Sequence, residues 1–145
     1  MTSKTTTQLN ELIEITRDGQ RFYQHAQEEV KDVRLKAIFS EMSQAKTDVI
    51  QALAVKVAAN QEQPSSGGTL IGKLRQVYAD TRATLSSDEG ATYVKQLEDT
   101  EDRILHAFED ALESAEPDVR ALLAVEMPKV RNCHDRMRSL KQSLE

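Results

Sequence analysis

The residues best suited to chemistry are carboxylates and one histidine in the second half of the chain. Glu98 and Glu101 are three positions apart in the stretch QLEDTEDRILHAFEDAL, so both side chains point to the same side of a helix. Helical bundles can hold two metal ions with one Glu from each of two helices and a Glu-x-x-His motif from each of the other two. Shared carboxylates and imidazoles then complete the coordination of both ions.

Three of these four ligand positions are not filled by suitable residues. Gln20 stands on the inward face of the first predicted helix, and its neutral amide is a poor ligand. Glu41 is followed three residues later by Gln44 instead of His, and Glu126 is followed by Lys129. We therefore predict that this chain does not hold a di-iron centre.

A smaller metal site remains open. One iron or manganese ion could be bound by Glu98, Glu101, Glu126 and His134, although His134 lies about 12 Å beyond Glu126 along a helix. The alternative is that Glu101 and Glu126 pair with Gln20 or a basic side chain, because a buried carboxylate without a partner is costly. If the two carboxylates approach each other, at least one should have a raised pKa. We favour pairing, and no cofactor is expected.

The remaining reactive side chains give no catalytic pattern. His25 and His106 are surrounded by polar residues, as surface histidines usually are, and His134 and Asp135 are neighbours whose side chains diverge on a helix. Cys133 is the single cysteine, and we interpret it as a small core residue. The sequence contains no glycine-rich phosphate loop, CxxC motif or Ser-His-Asp arrangement, so no catalytic residue is predicted.

Composition limits both the fold and the environment. The 145 residues are 39% hydrophobic and 30% charged, with five Gly and three Pro, which favours one domain of a few long helices. The formal charge of −5 argues against nucleic-acid binding. No apolar run is long enough for a membrane span, and the start MTSKTTTQLNEL lacks the apolar core of a signal peptide. A cytoplasmic protein is expected.

Five helices are predicted from the spacing of apolar residues and from capping patterns. They cover about 8–30, 33–59, 69–85, 87–114 and the residues from Pro117 onwards, with 1–6 frayed and 60–68 forming a loop. The predicted N-caps are Thr5 (with Gln8), Asp32 and Ser86 (with Glu89). The apolar stripe of the second helix, the row of residues that should face the core, consists of Leu35, Ile38, Phe39, Met42, Ala45, Val49, Leu53 and Val57.

The order and length of the helices predict their connectivity. Short links join the first helix to the second and the fourth to the fifth, so each pair should form an antiparallel hairpin. The third helix, about 25 Å long, could carry the chain from one end of the bundle to the other. The predicted fold is therefore all-α: a four-helix bundle of two hairpins joined by a long crossover with a fifth, shorter helix, as in ferritin-like proteins.

Three stretches, LNELIEITRDGQRFYQHA, LEDTEDRILHAFEDAL and VRALLAVEMPKVRNCHDRMRSL, resemble a bacterial family described only as a ferritin-like four-helix-bundle domain of unknown function. The similarity covers about Leu9 to Leu140 and depends on Leu-Asn at the start, Asp18-Gly19, Glu98, Glu101-Asp102 and His134-Asp135. This resemblance implies the bundle, supports the crossover and implies no established reaction.

The function predicted from these features is association. We expect a non-catalytic bundle protein that acts by binding itself or another protein, with a dimer as the predicted form. The third helix could provide the dimer face through Leu70, Ile71, Leu74, Val77 and Tyr78. The alternative is a metal-binding protein or oxidase with an atypical carboxylate and histidine site, and a ligand in the bundle core is a third interpretation that stays open.

Overall fold

Long helices form nearly all of the chain that the structure describes. This computed structural model describes residues 3–60, 62–69, 72–73, 75–77, 80 and 88–144. Its four long helices are α1 (Ser3–Glu29), α2 (Val33–Ala59), α3 (Glu89–Ser114) and α4 (Pro117–Ser143). Residues 72–73, 75–77 and 80 are also helical, and the described residues include no strand. The all-α prediction is confirmed.

Side chains and proline fix several helix starts. The Asp32 carboxylate accepts a hydrogen bond from the Leu35 N–H at 3.1 Å, so Asp32 is the N-cap of α2 as predicted. Pro117 begins α4, where its missing N–H has no consequence. Asp88 caps α3 by accepting from the Ala91 N–H at 3.0 Å. The predicted cap of that helix, Ser86, lies outside the described residues.

The start of α1 differs from the prediction. The helix begins at Ser3, so Thr5 lies inside its first turns and does not form the predicted capping box with Gln8. The Gln8 amide instead donates to the Ser114 hydroxyl at 3.0 Å and links α1 to the end of α3.

Helices α1 and α2 pack against each other in opposite directions. Only three residues connect them, and their side-chain contacts pair later positions of α1 with earlier positions of α2. Gln20 Nε2 donates to Thr47 Oγ1 at 2.7 Å, and Lys36 Nζ donates to the Gln27 carbonyl at 2.9 Å. This order of contacts makes the pair an antiparallel hairpin.

Helices α3 and α4 form a second antiparallel pair. Lys141 Nζ lies 3.5 Å from Glu98 Oε2, and Arg131 Nη2 lies 3.9 Å from Glu109 Oε2. The two pairs contact each other through α1 with α3 and through α2 with α4. Each of the four helices therefore packs against two others around a shared core.

The connection between α2 and α3 lies along the polar side of α1. We call its described residues, 62–69, 72–73, 75–77 and 80, the strap. Asn10 accepts from the Ser65 N–H at 2.8 Å, and Arg17 donates to the Ser65 carbonyl at 2.6 Å. Further along α1, Asp18 accepts from the Thr69 N–H at 2.7 Å and His25 contacts Asp80. The strap therefore follows α1 in the same direction.

The apolar core consists of two clusters that occupy different levels of the four helices. The first cluster is centred on Leu9, Ile13, Leu53, Phe108 and Leu123. The second is centred on Phe22, Phe39, Tyr93, Leu97 and Met137. On α2 and α3 the positions between the clusters include two charged residues, Lys46 and Glu101, and both are buried. A polar layer thus separates the two apolar clusters.

None of the described helices combines the length and apolar character needed to cross a membrane.

Candidate functional site

The polar layer is centred on an ion pair between α2 and α3. Lys46 is 1% exposed and Glu101 is 0% exposed. The Lys46 ammonium contacts both carboxylate oxygens of Glu101 and donates a hydrogen bond to Oε2 at 2.8 Å. A buried charge is costly unless it is paired, so each residue of this pair makes the burial of the other tolerable.

Gly19 on α1 lies beside this pair and directly against Ile104 of α3. A Cβ atom at position 19 would lie 3.7 Å from Lys46 Cε and 2.9 Å from Ile104 Cδ1, which is too close for the isoleucine. The absent side chain therefore makes room for Ile104, while the aliphatic part of Lys46 lies at ordinary contact distance. Gly19 thus permits a close approach of α1 and α3 at Ile104.

Two more buried side chains complete what we call the core cluster: Tyr23, Lys46, Glu101 and Cys133, one from each long helix. Burial raises the pKa of Glu101, and the nearby Lys46 ammonium opposes that rise. Burial is also the main cause of a raised pKa for Tyr23 and for the Cys133 thiol. The Tyr23 hydroxyl lies against Glu101 but has no hydrogen bond in proper geometry to any described residue.

The core cluster is closed to ligands in this arrangement. Its carboxylate is neutralised by a lysine of the same chain. Its thiol is buried and has a raised pKa, so it does not readily form the thiolate that acts as a nucleophile. Its residues line none of the main surface grooves formed by the described part of the chain. The cluster therefore places buried polar and ionisable groups of all four long helices at one level of the core.

The four predicted metal ligands lie in three different environments. Glu101 points into the core and pairs with a basic side chain, Lys46, which is one of the two predicted kinds of partner. Gln20, the other predicted partner, bonds to Thr47. Glu126 is 2% exposed, and Lys129 Nζ lies 3.2 Å from its Oε2 atom.

The other two predicted ligands, Glu98 and His134, line one surface cleft between α3 and α4. This cleft has a volume of about 410 Å³ and also includes Asp102, Arg138 and Lys141. Glu98 is partly buried and faces Lys141. Across the described residues, no three His, Cys, Asp or Glu side chains converge in a group that could hold a metal ion. The four-residue metal site stays a prediction.

His134 is engaged through both ring nitrogens. Its Nε2 lies 3.3 Å from Asp102 Oδ1, and its Nδ1 lies 3.1 Å from Asp135 Oδ1. The expectation that the side chains of His134 and Asp135 diverge is therefore wrong, because the imidazole turns towards its neighbour. While both nitrogens contact carboxylates, neither offers a free lone pair to a metal ion.

A second cluster joins the strap to the bundle, and sequence reasoning missed it. His25 contacts the Asp80 carboxylate, and the Tyr93 hydroxyl donates to the same carboxylate at 2.7 Å. Burial and this hydrogen bond raise the pKa of Tyr93 far above its usual range. Three distant parts of the chain meet here, and no local sequence spacing could have indicated it.

The fold and the core cluster show the class of protein: an all-α helical bundle whose central carboxylate, Glu101, is paired with Lys46 of the same chain. Comparison with known families then identifies the group. A family described as "Domain of unknown function (DUF2383)" matches residues 4–114, and the chain belongs to that family. The match includes α1, α2 and α3 and ends at the last residue of α3. No curated protein matches the chain.

Proposed function

We propose that this chain is a non-catalytic, cytoplasmic helical-bundle protein that acts by associating with itself or with another protein. The observation that supports this proposal is the buried Lys46–Glu101 ion pair. A bundle that binds a metal or a substrate in its centre needs uncompensated polar groups there. Here the central carboxylate already has a cation, so the surfaces of the helices are the parts left for function.

We also propose that the connectivity is ferritin-like. Two antiparallel hairpins, with the strap following α1 between them, support a long crossover from one end of the bundle to the other. The contacts with Asn10 at one end of the strap and with His25 at the other support the same order. Several residues of the predicted third helix, including Leu70, Ile71 and Tyr78, lie outside the described residues.

Light scattering coupled to size-exclusion chromatography tests the association proposal. We expect the mass of a dimer at micromolar concentrations or, if the partner is a different protein, a monomer that forms a defined complex with it. A nucleic-acid or membrane partner is not expected. A monomer mass over the whole concentration range would remove the self-association part of the proposal.

Metal binding is the alternative function, with iron or manganese as the ion. The observation that favours it is that Glu98, Asp102 and His134 line the same surface cleft, where their side chains would have to turn towards one point to bind an ion. Elemental analysis of protein purified without chelator tests it, with His134→Ala and Glu101→Ala as separate variants. Two metal ions per chain that are lost in Glu101→Ala would contradict the closed core cluster and the proposal built on it.

A further inference from the structure

A groove between α1 and α3 combines an apolar floor with an acidic rim. It has a volume of about 440 Å³. The floor is formed by Leu12 and Ile15 from α1 and by Ala107 and Ala111 from α3. These residues belong to the first apolar cluster or pack against it, so the floor is supported from beneath by the core.

The rim of this groove carries three carboxylates, Glu11, Glu14 and Asp110. None of them forms an ion pair with another residue in the described part of the chain, although Glu14 accepts a hydrogen bond from the Ser65 hydroxyl at 3.0 Å. The cleft that contains His134 is different, because its carboxylates have Arg138 and Lys141 beside them. In the described part of the chain, the α1–α3 groove therefore has carboxylates around an apolar surface and no ion pair that balances them.

The length of the groove matches about two turns of a helix, with the Gln8–Ser114 hydrogen bond joining its two walls and Thr69 of the strap also lining it. Its walls extend over Gln8–Ile15 of α1 and Ala107–Ser114 of α3, which is about 10 Å or two helical turns. An amphipathic helix binds such a groove with apolar side chains at positions i, i+3 or i+4, and i+7. Basic side chains on both sides of that stripe would face Glu11 and Asp110.

Building on the proposed role in association, we propose that this groove binds a helix of a partner protein whose apolar stripe is flanked by Lys or Arg. Charge complementarity decides the occupant, because an acidic helix would bring like charges together and a purely apolar one would leave the carboxylates without partners. Both walls lie within residues 4–114, the part that matches the family. The contact area is small, so the complex is transient.

A helical peptide of Leu and Lys tests this proposal, with a Leu and Glu peptide of the same apolar stripe as its control. We expect the Leu/Lys peptide to bind with an affinity that falls as salt rises. In ¹H–¹⁵N spectra it should shift the amide signals of Ile15, Ala107 and Ala111. The Leu/Glu peptide should cause no such shifts. Equal shifts with both peptides, or none with either, would overturn the proposal.

Two protein variants with the same change in formal charge provide the matched control. Glu11→Lys with Asp110→Lys reverses the charge of the rim, while Glu28→Lys with Asp48→Lys reverses two exposed carboxylates outside the groove. We expect the rim variant to bind the Leu/Lys peptide about tenfold more weakly or worse, and the control variant to bind it nearly as the native chain does. Equal loss in both would show non-specific attraction and overturn the proposal.

Light scattering on the same variants separates this proposal from the association proposal. Peptide binding to the groove of a monomeric protein supports the groove and removes only self-association. A dimer that persists in the rim variant, with no peptide binding to the native chain, leaves association intact and overturns the groove. A dimer lost only in the rim variant would identify a second copy as the occupant and overturn the assignment to a partner helix.

Discussion

Replacing Glu101 alone should destabilise the protein more than replacing Lys46 and Glu101 together. Glu101→Gln would leave the Lys46 ammonium buried without its counter-charge, and breaking a buried pair in this way costs about 3–5 kcal/mol. We expect a loss of that size in the free energy of unfolding, measured with urea. Replacing both residues, as Lys46→Met with Glu101→Leu, should regain most of the stability, because apolar side chains of similar volume can fill the same space.

An exposed ion pair gives the control for this experiment. Arg136 and Glu41 form a pair 2.6 Å apart in which both side chains remain largely in solvent. Glu41→Gln should change the free energy of unfolding by no more than about 1 kcal/mol. If Glu101→Gln is as mild as Glu41→Gln, or if the double replacement is worse than both single ones, the proposed electrostatic role of the core pair is wrong.

The raised pKa values of two tyrosines predict a loss of stability at alkaline pH. Tyr23 and Tyr93 both have a pKa above the value of about 10 that a tyrosine has in an unfolded chain. The folded state therefore keeps their protons while the unfolded state releases them. The resulting stabilisation is complete below about pH 10 and is lost as pH rises towards the folded-state pKa. Urea unfolding between pH 8 and pH 11 should show this decline.

Phenylalanine variants identify the source of that decline. Tyr23→Phe and Tyr93→Phe each remove one titrating hydroxyl, so each variant should lose less stability than the native chain between pH 8 and pH 11. Tyr93→Phe also loses the hydrogen bond to Asp80 and will be less stable at every pH. The informative quantity is therefore the slope of the free energy of unfolding against pH. Unchanged slopes in both variants would show that other groups control the alkaline behaviour.

The stripe of α2 shows how far sequence could predict the core cluster. Phe39, Met42, Val49 and Leu53 follow the 3-4 spacing, and the position that continues it is Lys46. The apolar pattern predicts Ala45 for this face instead of Lys46, and lysine is almost never fully buried unless it is paired. The partner, Glu101, is 55 residues away in sequence, and no local pattern indicates that the two meet.

The positions of the long helices, unlike the contacts of the core cluster, could be predicted from the sequence. The long helices have strong periodicity and recognisable starts at Asp32 and Pro117, so their positions follow from local sequence alone. The contacts of the strap do not. They depend on individual polar side chains of α1, such as Asp18 and His25, that bind backbone or carboxylate groups more than 50 residues away.

The strap offers a sensitive comparison between two adjacent glycines. A Cβ atom at Gly68 would collide with the Asp18 carboxylate, whereas a Cβ atom at Gly67 would meet nothing within 4 Å. Gly68→Ala should therefore displace Asp18 from Thr69 and loosen the strap on α1. We expect hydrogen exchange of the Thr69 amide to become about tenfold faster or more in Gly68→Ala and to stay unchanged in Gly67→Ala.

Asp18→Asn tests whether the contact between Asp18 and Thr69 depends on the negative charge or on the size of the side chain. The amide side chain keeps nearly the same size and accepts a hydrogen bond through one oxygen, but it loses the negative charge near the Thr69 N–H. An intermediate exchange rate is expected. If Gly67→Ala loosens the strap as much as Gly68→Ala does, backbone restriction is responsible and the contact with Asp18 is not.

All four long helices contribute to both apolar clusters, so the molecule should unfold as one unit. The family match ends at residue 114, yet α4 supplies Leu123 to the first cluster and Met137 to the second. A chain that ends at Ser114 would expose the facing surfaces of α2 and α3. We expect it to lack a cooperative unfolding transition, measured by circular dichroism, whereas residues 1–145 should show one transition. Cooperative unfolding of the shorter chain would show that α4 is dispensable for the core.

Gly19 and the Lys46–Glu101 pair each link positions that should change together in natural sequences. A relative with a larger residue at position 19 would crowd the side chain at position 104, so a residue smaller than isoleucine should accompany it there. A relative without a cation at position 46 should also lack the carboxylate at position 101, because that acid would otherwise have no counter-charge. Substitutions at Gly19 and Ile104, and separately at Lys46 and Glu101, should therefore appear as correlated changes.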